Sequence, residues 1–330
     1  MDRRTFLASG AAALLPSGAG AQQAAPAGAG NWPRDRPIRL IITYPPGGTS
    51  DFVARLFAQH LGEQLGQSVV VENRAGGGGV VGWTAAARAA PDGYTLLQTD
   101  NSLATAPPLH PDLTFDVLRD FTPISMMVDY ASVFVVPAEL PVRSWQEFVA
   151  LVRQRGQAGS FYGSMGPGSS PHLYVEVLQE LADLRMTHVS YRGMGPAMTD
   201  LLANRVQLLA AAPPTALGHI AAGRVRAIAV GTPGGRIPAL PDVPTLRELG
   251  VDFTYSYWYG LLAPRGLDPA IVARLDEEVR RTLAKPEVRA LFIEQGAVPV
   301  GGDGEALRRV MAGELERWTD VIRSRRIARE

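Results

Sequence analysis

Three runs rich in glycine and hydroxyl residues have the chemistry of an anion-binding site. They are Gly47-Gly48-Thr49-Ser50-Asp51, the stretch 164–172 with Ser164, Ser169, Ser170 and His172, and Tyr191-Arg192-Gly193. Glycines let backbone N–H groups approach a ligand closely, and the serine and threonine hydroxyls add further donors. Each run lies between an apolar stretch of strand character and a stretch of helical spacing. Its N–H groups therefore belong to a helix N-terminus, where unpaired donors and the macrodipole favour a carboxylate or phosphate. Glycine and serine also build ordinary turns, so one such loop would mean little; three in one chain point to a cleft. Asp51 would repel an anion if it pointed inward, so it is expected to brace its own loop.

Other chemistries find less support. Gly77-x-Gly79-x-x-Gly82 follows a strand and opens a helix, with Asp100 further on, as in a dinucleotide-binding fingerprint. It occupies the second strand–helix unit, whereas that fingerprint belongs to the first. A dinucleotide-binding α/β oxidoreductase using the 77–82 loop is the alternative reading. No G-x-S-x-G elbow is present. The five histidines lack metal-ligand spacing, and His172, beside the serine loop in a helix's first turn, is the one placed near a ligand. Cysteine is absent, which excludes disulfides, thiolate metal sites and cysteine nucleophiles. No metal or cofactor is expected. With 32 basic and 32 acidic residues the chain has no nucleic-acid footprint.

The elements that position these loops follow from hydrophobic periodicity. Ile38, Leu40, Ile41 and Ile42 make a strand that Tyr44-Pro45-Pro46 stops, and Phe52, Val53, Leu56, Phe57, Leu61 and Leu65 have helical spacing. Strands over 68–73 and 94–98 flank a helix over 80–90, so the start of the chain reads as β-α-β-α-β, the rhythm of a doubly wound parallel sheet. Right-handed crossovers put the strand C-termini on one edge. Asn101, just past the third strand, then shares a rim with the 47–51 loop and joins the candidate site. An apolar run over 122–137 carries the chain to a second domain, where the pattern recurs, with Ser170 as N-cap and Pro171 at the first helical position. An aromatic run over 253–262 returns it. Two amphipathic helices over 269–284 and 303–322 finish the chain, with Leu307, Val310, Met311, Leu315, Trp318 and Ile322 as the buried stripe of the last.

The N-terminus reads as an address. Arg3-Arg4-x-Phe6-Leu7, a short alanine-rich apolar stretch and Ala19-Gly20-Ala21 resemble a twin-arginine export signal cleaved after Ala21. The expected organisation is a signal over 1–21, a flexible leader over 22–35, one domain from 36–136 with 258–330, and a second from 137–257. The mature protein is expected in the periplasm, as a monomer.

Several stretches together resemble the tripartite tricarboxylate transporter receptor family, the TctC-like or Bug periplasmic binding proteins. They are Tyr44-Pro45-Pro46-Gly47-Gly48-Thr49-Ser50-Asp51, Val71-Glu72-Asn73-Arg74-Ala75-Gly76, Pro91-Asp92-Gly93-Tyr94-Thr95-Leu96, the 163–173 serine loop, Tyr191-Arg192-Gly193-x-x-Pro196-Ala197, Gly223-Arg224-Val225-Arg226-Ala227 and Leu240-Pro241-Asp242-Val243-Pro244-Thr245. They occur in order over about residues 36–325. The resemblance implies a two-domain Venus-flytrap fold, α/β in each domain with the ligand cleft between, and capture of a small carboxylate (dicarboxylate, amino acid or aromatic acid) without catalysis. It implies delivery to membrane transporter subunits or a sensor kinase. Carried onto this sequence, the grip falls to Tyr44, Gly47, Gly48, Thr49, Ser50, Asp51, Ser164, Ser169, Ser170, Tyr191 and Arg192. The 211–214 loop, unusually rich in alanine and proline, departs from the pattern and leaves the distal half of the ligand open.

Overall fold

The computed structural model describes residues 31–232, 234–324 and 327. The export signal expected over 1–21, and most of the leader, lie outside the described residues. The last part of that leader is tied down: Trp32 Nε1 donates to Gly93 O at 3.1 Å and Gln67 Nε2 to Pro33 O at 2.9 Å.

The chain opens with β1 (Ile38–Ile42), α1 (Thr49–Leu65), β2 (Val69–Asn73), α2 (Val80–Ala87), β3 (Thr95–Asp100) and the single turn α3 (Ser102–Thr105). β1 pairs in parallel with β2 on one side and β3 on the other, with Leu40 opposite Val71 and Leu96. A strand flanked on both edges and covered on both faces needs a near-continuous apolar run, which Ile38-Arg39-Leu40-Ile41-Ile42 supplies apart from Arg39. β4 (Phe121–Pro137) follows, then α4 (Trp145–Arg155), β5 (Phe161–Ser164), α5 (Ser170–Leu181), β6 (Thr187–Ser190), α6 (Met194–Leu202), β7 (Leu208–Ala211), α7 (Pro213–Ala221) and β8 (Val225–Gly231). β9 (Ser256–Pro264), α8 (Pro269–Ala284), α9 (Pro286–Glu294), β10 (Ala297–Asp303) and α10 (Gly304–Ser324) complete it.

β4 joins two lobes. Its residues up to Ala131 pair antiparallel with β9 and β10, and those from Ser132 onward pair with β7 and β8. The change of partners falls ahead of the boundary expected after residue 136. The first lobe is the β2-β1-β3-β9-β4 sheet with β10 on its edge, and the second continues as β4-β7-β5-β6 with β8. Ser132 Oγ donates to Gly231 O and Tyr255 O, each at 3.2 Å, and stitches the returning segment to the crossing strand.

Several local expectations change. The helix that the sequence places over Pro196 to Ala203 is α6 and begins earlier, at Met194, and α2 stops at Ala87, short of residue 90. α3, α7, α9 and β10 had no sequence-level counterpart. β10 contains Pro299, Gly301 and Gly302 and shifts register between Pro299 and Gly302; such residues are tolerated on an edge strand but erase its alternating pattern. The stripe of α10 is buried at Leu307, Met311, Trp318 and Ile322, and half-buried at Val310 and Leu315.

Candidate functional site

Three helix N-termini meet where the lobes touch. Gly48, Thr49 and Ser50 of α1, Met194 and Gly195 of α6, and Ala212 and Thr215 at the start of α7 line one cavity. Tyr44, Pro45 and Asp100 from the first lobe, Met165 from the serine loop, and Tyr257 and Tyr259 of β9 complete it. None of the three helices has a side-chain N-cap bond: the capping residues are Gly48, Gly193 and Ala212. The first-turn N–H groups of α1 and α6 have no intrahelical partner, whereas α7 opens with Pro213 and Pro214, which carry no N–H, and its Thr215 N donates to Ala212 O at 3.1 Å. α7 adds only its macrodipole end to the two sets of donors. No arginine or lysine is among its described lining residues.

The lobes are closed on this cavity. Thr49 Oγ1 lies 2.8 Å from Thr215 Oγ1 across the cleft. Gly193 is pressed on Pro45, since a Cβ added there would sit 2.6 Å from Pro45 Cδ. Gly78 abuts Pro167, a Cβ on it falling 2.9 Å from that carbonyl oxygen. The internal volume is about 30 Å³, room for about two waters at ~10–15 Å³ each, so a ligand enters only when the lobes part.

Asp51 braces the first loop. Its Oδ2 accepts from Gly47 N at 3.1 Å and Arg55 Nε at 2.9 Å, and its Oδ1 from Asn73 Nδ2 at 3.2 Å. The same Asn73 amide donates to Tyr44 O at 2.9 Å. Burial pushes the Asp51 pKa up, but the Arg55 guanidinium, the Gly47 N–H and the Asn73 amide outweigh it and hold the carboxyl below the usual carboxylate range. A lowered folded pKa means the brace is fully present above that range and is lost as pH falls below it. Asp51→Ala should weaken ligand binding about tenfold, a charge-assisted hydrogen bond being worth ~1.5–3 kcal/mol. Its circular dichroism should match the parent. Unchanged affinity by calorimetry would remove the bracing role.

The serine loop spends its hydroxyls internally. Ser164 Oγ lies 2.6 Å from His188 Nε2 and accepts from Gly166 N at 3.1 Å. Ser169 Oγ donates to Gly166 O at 2.6 Å, and Ser170 Oγ to Asn101 Oδ1 at 2.8 Å. Ser169, and not Ser170, is the N-cap of α5, with Pro171 at the second helical position. The reason is that Ser170 N is capped from the other lobe, by Ser102 Oγ at 3.1 Å. Asn101 Nδ2 in turn donates to Tyr174 OH at 2.5 Å and Ser256 O at 2.9 Å, so Asn101 ties the lobes together behind the cavity. His172 is buried there as well: its Nδ1 accepts from Gly168 N at 3.2 Å and its ring centroid is 4.4 Å from that of His188. Burial, with the like charge of His188, pushes the His172 pKa down to about 3 and keeps the ring neutral.

Of the expected site residues, Tyr44, Gly48, Thr49 and Ser50 line the cavity. Gly47 faces an outer groove beside α7, shared with Thr215 and His219. Asp51, Asn101, Ser164, Ser169, Ser170 and His172 form the supporting layer. Tyr191 donates its phenol to Asp200 Oδ2 at 2.8 Å and packs on Gly163, and Arg192 is exposed. Asp100, Thr215, Tyr257 and Tyr259 were not foreseen as lining residues. Asp100 carried a signal, its place at a strand C-terminus on the shared rim; the alternating Tyr257 and Tyr259 gave no sign of which face meets the cleft. The 77–82 glycines answer to packing: a Cβ on Gly79 would fall 2.4 Å from the Trp83 ring, and one on Gly82 would fall 2.9 Å from Thr43 Cγ2.

Comparison with known proteins follows the same lines. Residues 53–327 match the family model described as the tripartite tricarboxylate transporter family receptor, TctC. The chain is similar to protein BugT of Bordetella pertussis, with 38% identity over 304 residues that cover 91% of this chain and 92% of the relative. Among solved structures it is similar to R. palustris Rpa4515 with adipate, at 32% identity and a TM-score of 0.86, covering 90% of this chain and 99% of that one. MatC from Rhodopseudomonas palustris with bound malate is similar at 31% identity and a TM-score of 0.83, covering 88% and 99%.

Proposed function

This chain belongs to the tripartite tricarboxylate transporter receptor family, whose members are solute-binding receptors and not enzymes, and on that premise we propose that it captures a small carboxylate-containing metabolite in the periplasm and hands it to the membrane subunits of a tripartite tricarboxylate-type transporter. The observation that carries the proposal is the convergence of three helix N-termini on one buried cavity between two lobes. Such a site holds a carboxylate by the backbone N–H groups of α1 and α6 and by the three helix dipoles, without a cationic side chain. The adipate and malate of two similar structures are carboxylates of that kind.

Each hydrogen bond to an ionised carboxylate is worth ~1.5–3 kcal/mol. Three or four of them, less the cost of association, support binding at about micromolar Kd. Closure supplies the rest of the grip, because Thr49 and Thr215, which both line the cavity, meet across the cleft when the lobes are shut. An oxidoreductase has no place in this family, and the 77–82 loop lines no part of the cavity.

Calorimetry of residues 22–330 against dicarboxylates, amino acids and aromatic acids tests the reading. At least one should bind with a micromolar Kd. No heat with any of these organic anions would overturn it.

A further inference from the structure

The carboxylate-binding cavity contains a carboxylate of its own. Asp100 ends β3, is 1% exposed and lines the cavity. Its Oδ1 accepts from Ser102 N at 3.0 Å, and the Tyr44 and Ser102 hydroxyls lie close enough to act on the same carboxyl. No ion pair to Asp100 is found among the described residues; the groups that act on it are hydroxyls, backbone and other acids. A buried carboxylate without a cation is costly, and a ligand anion beside it adds repulsion at short range.

A ligand that brings its own cation removes both costs. Three tyrosines, Tyr44, Tyr257 and Tyr259, line the cavity with Asp100. Aromatic faces attract ammonium groups by their quadrupole, so carboxyl and rings together make a cation-binding wall. The N-terminal N–H groups of α1 and α6, with the dipole of α7, supply the anion-binding part of the same space. We propose that Asp100 is a specificity-determining residue that selects a zwitterionic ligand, an α-amino acid or a close relative, by holding its ammonium group while the helix N-termini hold its carboxylate. This rests on the receptor reading above and narrows its substrate class.

The pH response separates this role from its opposite. Burial pushes the Asp100 pKa up to about 6. The titratable groups around it are Tyr44 on the β1–α1 loop, Tyr257 and Tyr259 on β9, and Glu314 on α10, itself pushed by burial to about 8. An ammonium partner needs Asp100 ionised, so affinity for a zwitterion should rise as pH passes upward through about 6. A protonated Asp100 donating to a second ligand carboxylate would give the reverse slope.

The test pairs L-aspartate with succinate, L-glutamate with glutarate and L-alanine with propionate, titrated by calorimetry at pH 5 and pH 8. At least one amino acid should bind about tenfold or more tightly than its deamino partner at pH 8, and more tightly at pH 8 than at pH 5, since tenfold is 1.4 kcal/mol. Asp100→Asn, which keeps an acceptor for Ser102 N, should abolish that preference. Asp100→Ser, a smaller acceptor, should do the same if the asparagine variant folds poorly. Deamino acids that bind as well as or better than the amino acids, or a preference that survives both substitutions, would overturn the role of Asp100 and leave the receptor reading standing. Binding of none of the six acids overturns the role of Asp100, while the receptor reading is decided by the wider panel above.

Discussion

Gly193→Leu should give a folded protein that cannot shut. Gly193 caps α6 with φ 172° and ψ 172°, extended backbone open to any residue, so the substitution carries no local strain. Its cost arises only when the lobes meet, because a Cβ would fall 2.6 Å from Cδ and 3.3 Å from Cγ of Pro45 on the other lobe. A proline ring cannot swing aside as a flexible chain would. Overpacking of this kind costs ~1–3 kcal/mol, here charged to the closed state alone. Apparent affinity falls with the fraction of binding-competent molecules, so 1–3 kcal/mol corresponds to a loss of about 5–150-fold. Small-angle scattering should show a larger radius of gyration than the parent, and thermal unfolding without ligand should be unchanged. Gly218→Leu, at a helix position with nothing within 4 Å, is the control and should bind normally. A Gly193→Leu protein with parental affinity would mean that ligand capture needs no closure at this contact.

Trp318→Ala should produce the largest loss of stability. Trp318 is fully buried on α10, and its ring stacks on Tyr174 at 5.8 Å and lies tilted at 5.0 Å from Tyr255. Tyr174 belongs to α5 of the second lobe and donates its phenol to Ser256 O at 2.6 Å, at the start of β9. The indole therefore fills the joint where the C-terminal helix, the second lobe and the returning strand meet. Removing such a side chain costs ~3–5 kcal/mol, a large share of the ~5–15 kcal/mol that holds a protein folded. Urea unfolding should show a shift of the midpoint with little change in slope. Trp318→Phe should restore part of the loss by refilling the joint. A decrease under about 1 kcal/mol would show that the surrounding aromatic rings collapse into the space, the relaxation that makes such costs vary.

The strand–helix order was legible in the sequence because its signals are local. An apolar run such as Ile38-Arg39-Leu40-Ile41-Ile42, a proline stop and a glycine turn act within a few residues, and β1, α1 and β4 through β7 fall close to where periodicity places them. The bracing of Gly47 by Asp51, four residues away, was legible for the same reason. Side-chain direction across the cleft was not. Ser164, Ser169 and Ser170 look like ligand donors in the sequence, yet His188, Gly166 and Asn101 take their hydroxyls, and those partners lie mostly on other elements. Asp100, Thr215, Tyr257 and Tyr259 are far apart in the chain and share the cavity because β9 runs back beside β3 and α7 closes on α1. Sequence alone determined that glycine-capped helix ends would face a cleft and favour an anion, since backbone donors need no particular side chain. Tertiary structure decided which acid and which aromatic rings line that cleft, because burial of a side chain depends on contacts between residues that periodicity cannot connect.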